Sequence, residues 1–343
     1  GSERMSTCHI FIYAGIGLIS MGSCRMSTPA SGMEDALSQA GNHRDEWFRV
    51  IRHYQDGNDT LKLQAALFLI ENMTDKFYFT GKIIDEYETF IDSVYRIRQA
   101  EYDIPAIYDE FRTKAKHLTQ EPDVCRDIRT LPADFLIEHI EEAFAVWNRP
   151  WNRHLSFDEF CELILPYRIG TEIPEAWRQS YRERFDPLVE SDSIRTARQA
   201  CTVINNELIK LPIHIATTSV LPINLRPGIL RNIKFGLCGD YAYLAVYAMR
   251  AAGIPVAIES VPHWGRGNGA HTFNTVYDND RTSHDFSGAE QNPDEHLIRF
   301  KNEIPKVYRK TFGKQKESLA MCHGNEDIPP FFRNAYMTDV TAN

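Results

Sequence analysis

The run Gly236-Leu237-Cys238-Gly239-Asp240 decides how this chain is read, together with His271, 33 residues beyond Cys238. Cys238 opens the segment 238–252 (CGDYAYLAVYAMRAA), in which Cys238, Ala242, Ala245, Met249 and Ala252 fall on one helical face. Gly253 and Pro255 then stop the helix. Further out, Val256–Val261 has the composition of a strand, and 263–269 is a loop with three glycines. His271–Tyr277 is a second strand, Asp278-Asn279-Asp280 a turn, and Arg281–Phe286 a third strand. A helix followed by antiparallel strands is an α+β arrangement.

That arrangement suits a thiol nucleophile. A free thiol, with a pKa of about 8.5, is mostly protonated at neutral pH. A helix N-terminus favours the anion through its unpaired N–H groups and partial positive charge. A neighbouring imidazole takes the proton and later delivers it to the leaving group. Cys238 has the first device, backbone N–H groups beside it suit a tetrahedral oxyanion, and His271 is the candidate for the second. Asp285 is the candidate acceptor on the far nitrogen of His271. A three-residue turn pairs Tyr277 with Arg281, which sets Asp285 opposite Phe273 on the face of His271, at a diagonal of roughly 7–8 Å. A two-residue turn at Asn279-Asp280 sets it opposite Asn274 on the wrong face. Asp278 and Asp280 lie roughly 20 Å along the strand from His271 and are poor rivals. His284 points to the other face and is read as structural.

Composition is that of an ordinary globular protein with length for two domains: 343 residues, 43% hydrophobic and 25% charged. The net charge of −9 is spread along the chain with no basic stripe, which excludes nucleic acid as the expected partner. No apolar run reaches the roughly 18 residues of a membrane span. The seven cysteines, at 8, 24, 125, 161, 201, 238 and 322, form no C-x-x-C pair and no disulfide framework. No H-E-x-x-H, Walker loop or G-x-S-x-G occurs, and the G-x-G-x-G at 265–269 leads into a strand, so neither a metal nor a nucleotide cofactor is expected.

The N-terminus carries one targeting pattern. Ile10–Ile19 is a short apolar core, followed by Met21-Gly22-Ser23-Cys24, a loose lipobox. The expectation is a lipoprotein signal over 1–23 and lipidation of Cys24, with the membrane reached by that anchor alone. Residues 24–42 then form a tether. A mainly helical region follows over 43–190, with helices expected at 59–73, 81–116 and 134–147 and a capping box at Ser156–Glu159 whose helix stops near Pro166. A helix at 191–210 begins a catalytic unit over 191–330. Residues 331–343, with a strand beginning at 336–340, read as the start of a further C-terminal domain. Trp147 and Trp151 are read as packing residues. His263, Trp264 and Arg266 sit in the glycine-rich loop, where they are candidates for lining a substrate groove.

The run from Gly236-Leu237-Cys238, through Arg250-Ala-Ala-Gly253-Ile254-Pro255, to Gly269-Ala270-His271 and Asp285 resembles the transglutaminase-like superfamily. The resemblance implies a papain-like core with Cys238 as nucleophile, His271 as general base and acid, and Asp285 as orienter. In this chain Thr272 follows His271, with Phe273 one place later, and Arg281–Ser283 precede His284-Asp285. Leu61–Met73, Phe157–Arg168 and His263-Trp264 are similar to lipoproteins of Bacteroides-type bacteria that carry this core, which implies a place at the cell envelope. The expected activity is acyl transfer at peptide or amide bonds of a peptide or protein, free or glycan-linked, and hydrolysis more than crosslinking. The alternative is a non-catalytic surface lipoprotein that holds peptide or glycan in the same fold.

Overall fold

Side-chain caps set where many of the helices begin. The computed structural model describes residues 30–97, 102–265, 269–295, 305–324 and 326–341. The N-terminal region runs through α1 (Ala30–Ala40), α2 (Arg44–Asp56) and α3 (Thr60–Asn72), the last started by the Asp59 carboxylate accepting from Lys62 N. Strand β1 (Phe77–Thr80) leads into α4 (Lys82–Arg96) and α5 (Ile104–Lys114). The continuous helical pattern expected over 81–116 is thus two helices: Asp103 caps a new one by accepting from Ala106 N, and Pro105 sits in its first turn. Strand β2 (Asp123–Arg126) pairs antiparallel with β1, a two-stranded sheet that the sequence pattern did not suggest.

Short helix α6 (Asp127–Thr130), α7 (Ala133–Ala145), α8 (Phe157–Leu163), α9 (Arg178–Val189) and α10 (Ala197–Ile209) follow. The Ser156–Glu159 capping box forms, and α8 ends three residues before Pro166. Helix α10 starts six residues later than expected, because Thr196 and Gln199 form a capping box there. Next come β3 (His214–Ile215), α11 (Pro227–Leu230), β4 (Phe235–Gly236), α12 (Cys238–Ala251), β5 (Val256–Val261), β6 (His271–Tyr277), β7 (Ser283–Phe286), β8 (Tyr308–Lys310), α13 (Leu319–Cys322) and β9 (Met337–Asp339). Strands β3 and β4 pair parallel, while five strands form one antiparallel sheet in the order β7-β6-β5-β8-β9. The fold is α+β as expected, and β9 at 337–339 is the edge strand of this central sheet.

Helix α12 is buried on all sides from Tyr241 to Ala251, as a helix apolar on nearly every face must be, with Arg250 the buried charge among them. It lies between the sheet and helices α9 and α10. Trp177 packs on Tyr247 at 4.8 Å between ring centroids, and Trp151 is buried with its indole N–H donating to Gly253 O. A second apolar cluster gathers Trp47, Leu69, Ile140 and Phe160 from α2, α3, α7 and α8, with Tyr167 from the segment after α8. A small third cluster, Val261, Phe273, Val307 and Val340, covers the other face of the sheet.

The β6–β7 connection corrects the expected register. Tyr277 pairs with Ser283 rather than Arg281, and Asp285 lies opposite Thr275 rather than Phe273. The reason is a longer turn. Asp278 N donates to Thr282 O, Arg281 adopts φ 68°, and the Asp280 carboxylate accepts from Thr282 N at 3.0 Å, so five residues, 278–282, close the hairpin. Asp285 keeps the face of His271 but moves two residues further from it.

Candidate active site

Cys238 is the first residue of α12, after the extended N-cap Leu237. Asp240 Oδ2 accepts from Leu237 N at 2.8 Å, a carboxylate cap that fixes the start of the helix. Among the described residues the N–H groups of Cys238 and Gly239 have no hydrogen-bond acceptor, so two donors beside the thiol are unspent. Burial pushes the Asp240 carboxyl up to about 6, partly offset by that cap bond.

The thiol opens on a cleft of about 440 Å³. Its walls include Tyr87 and Tyr108 from α4 and α5, Tyr243 from α12, and Ser260, Thr272 and Lys310 from the sheet. Lys310 Nζ donates to the Tyr243 hydroxyl at 3.0 Å, and the Ser260 and Thr272 hydroxyls lie 3.4 Å apart. None of these wall residues stood out in the sequence. Tyr87 and Tyr95 share a helix face with ordinary core spacing, and Lys310 lies on a strand far from the Cys–His pattern.

His271 begins β6 opposite Val261. Strand alternation gives Thr272 and Asn274 to the cleft and helix side, and His271 and Phe273 to the other face. The His271 ring stacks between Trp264 (6.0 Å, 22°) and Phe273 (6.0 Å, 17°). Burial there lowers its pKa below the ordinary histidine value, so the imidazole is neutral at neutral pH. Among the described residues His271 makes no hydrogen bond with Cys238 or with Asp285. Asp285 Oδ1 instead accepts from the Thr275 hydroxyl at 3.0 Å. His284 is held by Asp294 at 2.8 Å. The structure therefore gives Cys238 and Thr272 to one cleft, and places His271 and Asp285 on the reverse face, apart from each other.

Of the loop candidates, Trp264 packs beside His271 and against the third cluster. His263 is exposed and its Nδ1 lies 2.8 Å from Trp264 O. Arg266 and Cys24 lie outside the described residues. Burial raises the thiol pKa of both Cys161 and Cys201, which marks them as inert packing residues. Asp278, Asp280 and His284 bring ligand atoms within 4.8 Å of one another at the β6–β7 turn. Their atoms are already engaged by Arg198 N, Thr282 and Asp294, so hydrogen bonding within the turn accounts for the cluster.

A cysteine at the head of a buried helix, packed on an antiparallel sheet whose second strand begins with histidine, defines a papain-like thiol scaffold. Residues 227–284 match the family model of the transglutaminase-like superfamily, so the chain carries a transglutaminase-like core over that segment. The match includes Cys238 and His271 and ends at His284, one residue short of Asp285. Comparisons with curated proteins and with solved structures find no match.

Proposed function

We propose that this protein is a cysteine-dependent acyl-transfer enzyme that hydrolyses peptide or amide bonds, with Cys238 as nucleophile. One observation carries the reading: Cys238 heads a 14-residue helix, opens on the cleft, and has two unspent N–H donors beside it. The thiolate attacks the carbonyl carbon, and the N–H groups of Cys238 and Gly239 hold the oxyanion. The C–N bond breaks as His271 protonates the amine, and water then attacks the thioester. His271 is one residue from cleft-lining Thr272, and a neutral imidazole is the form that accepts a proton. Its turn out of the Trp264–Phe273 stack is the motion this role needs. Asp285 supports it by its charge on the same face rather than by contact. We propose further that a lipid on Cys24 holds the protein at the cell envelope, a reading supported by the signal-like run before it.

A second reading, a non-catalytic cleft that holds a peptide or glycan, is favoured by the stacking of His271 on the reverse face. Alkylation of the native protein with iodoacetamide separates the two. The enzyme reading expects Cys238 to react at least tenfold faster than exposed Cys322, with the rate falling as pH drops through the lowered His271 pKa. His271→Ala should lower the Cys238 rate by about 10²-fold, in the range of a lost general base. Equal rates at Cys238 and Cys322, unchanged in His271→Ala, would leave the binding reading.

A further inference from the structure

Behind the cleft lies a second, smaller recess of about 20 Å³, whose walls include Lys76, Pro166, Arg168, Arg250, Lys310 and Phe312. Four of those six residues are basic, and their fates differ. Arg168 is fully spent: its Nη1 reaches both oxygens of Asp127 at 2.6 and 2.7 Å, and its other nitrogens donate to Phe77 O, Gly170 O and Glu172 O. Arg250 is 6% exposed; its Nε donates to Leu163 O and its Nη2 to Glu162 O and Val256 O. Among the described residues its Nη1 has no partner. Lys76 Nζ sits 3.3 Å from the Tyr336 ring centroid and 4.8 Å from that of Phe312, and forms no hydrogen bond or ion pair with any described residue. Lys310 donates once, to Tyr243, and likewise has no carboxylate partner among them.

The carboxylates around the recess are already committed. Asp127 takes Arg168 and the Tyr167 hydroxyl, Glu162 takes Phe312 N and Gly313 N, and Glu172 takes Ile169 N, Gly170 N and the Tyr247 hydroxyl. Four cations thus stand around the recess against three carboxylates, and among the described residues none of those carboxylates forms an ion pair with Lys76, Arg250 or Lys310. A buried positive charge in excess is costly, and a guanidinium does not relieve the cost by losing its proton.

We infer that this recess is a binding site for a small monovalent anion of halide size, chloride foremost, held by Lys76, Arg250 Nη1 and Lys310. At about 20 Å³ the recess has room for a small ion and little beside the 440 Å³ of the cleft. Burial and then the neighbouring Lys310 and Arg168 charges push the Lys76 amine well below its ordinary range, and a bound anion reverses that push. Lys310 lines both recess and cleft, so the anion would also fix the cation that meets Tyr243 on the cleft wall.

The test is thermal unfolding of the protein in sodium chloride or bromide against sodium gluconate at matched ionic strength. The expected result is a saturable rise in Tm with halide, about 3 °C at a tenfold excess over Kd, which gluconate does not produce. Lys76→Met and Lys310→Met should each abolish it. Bromide-grown crystals should show an anomalous peak between Lys76, Arg250 and Lys310, a readout that needs no variant to fold. A Tm that follows ionic strength whatever the anion, halide dependence kept in both variants, or water alone in the recess would each overturn the site.

Discussion

The two faces of β6 are built differently. Thr272, Asn274 and Val276 look toward α12 and the cleft, and the middle of that face is locked: Asn274 is fully buried, donates to Ala242 O at 2.9 Å and accepts from Gly288 N at 3.1 Å. Gly288 is pressed so close that a Cβ there would stand 2.5 Å from Ala245 Cβ and 2.6 Å from Tyr241 O. The opposite face carries His271, Phe273 and Thr275, held by ring stacking and by the exposed Asp285. The inner face sets the register, and the outer face carries the candidate base. A one-residue slip would exchange the two faces, so the lock on Asn274 decides which side chains meet the thiol.

Breaking that lock should have the largest effect. Asn274→Ala removes both bonds and leaves Gly288 N buried without an acceptor, an expected loss of about 3 kcal/mol of stability. Urea unfolding measures it. A loss below about 1 kcal/mol, within the range of an ordinary single hydrogen bond, would mean that the register is held elsewhere.

A smaller effect is expected at the head of α12, where the thiol face begins. The folded Asp240 carboxyl titrates at about 6, above its ordinary value of 3.8. The native state therefore binds more protons than the unfolded state between those values, and this group's stabilisation is full at low pH and lost as pH rises to about 6. Asp240→Asn keeps an oxygen for Leu237 N and removes the titration. The stability difference between variant and wild type should change by on the order of 2 kcal/mol between pH 4 and pH 7, in favour of the variant at the higher pH. A pH-independent difference would mean that the carboxyl at the helix head is well solvated.

Much of this comparison was legible in the sequence, and the limit is physical. The Cys238 helix, β5 and β6 are found where periodicity places them, because apolar spacing and the Gly253–Pro255 stop are local signals. The capping boxes at Ser156 and Thr196 are local too, although the second lies inside a longer helical pattern that masks the start of α10. What alternation along β6 cannot tell is which of its faces α12 covers, since that is fixed by contacts with Ala242 and Gly288 from other elements. The turn is longer than the expected three residues for a related reason. Arg281 in a left-handed conformation and the Asp280 bond to Thr282 lengthen the loop, and no glycine announces them. The tyrosine wall of the cleft comes from helices more than a hundred residues upstream, where no local pattern points to it.

The smallest effect sharpens the outer face. Were Asp285 the contact partner of His271, Asp285→Asn would cost several powers of ten, as loss of the orienting carboxylate does in a hydrolase triad. The observed register instead pairs it with Thr275, and Phe273 occupies the position between Thr275 and His271 on that face. An exposed charge acting across that spacing is heavily screened at physiological ionic strength. The alkylation rate at Cys238 should therefore fall less than about threefold in Asp285→Asn, with stability changed by under about 1 kcal/mol through the Thr275 bond alone. A hundredfold fall would mean that β7 shifts along β6 when the thiol reacts, bringing Asp285 opposite Phe273 and making the resting hairpin register the closed state of a switch.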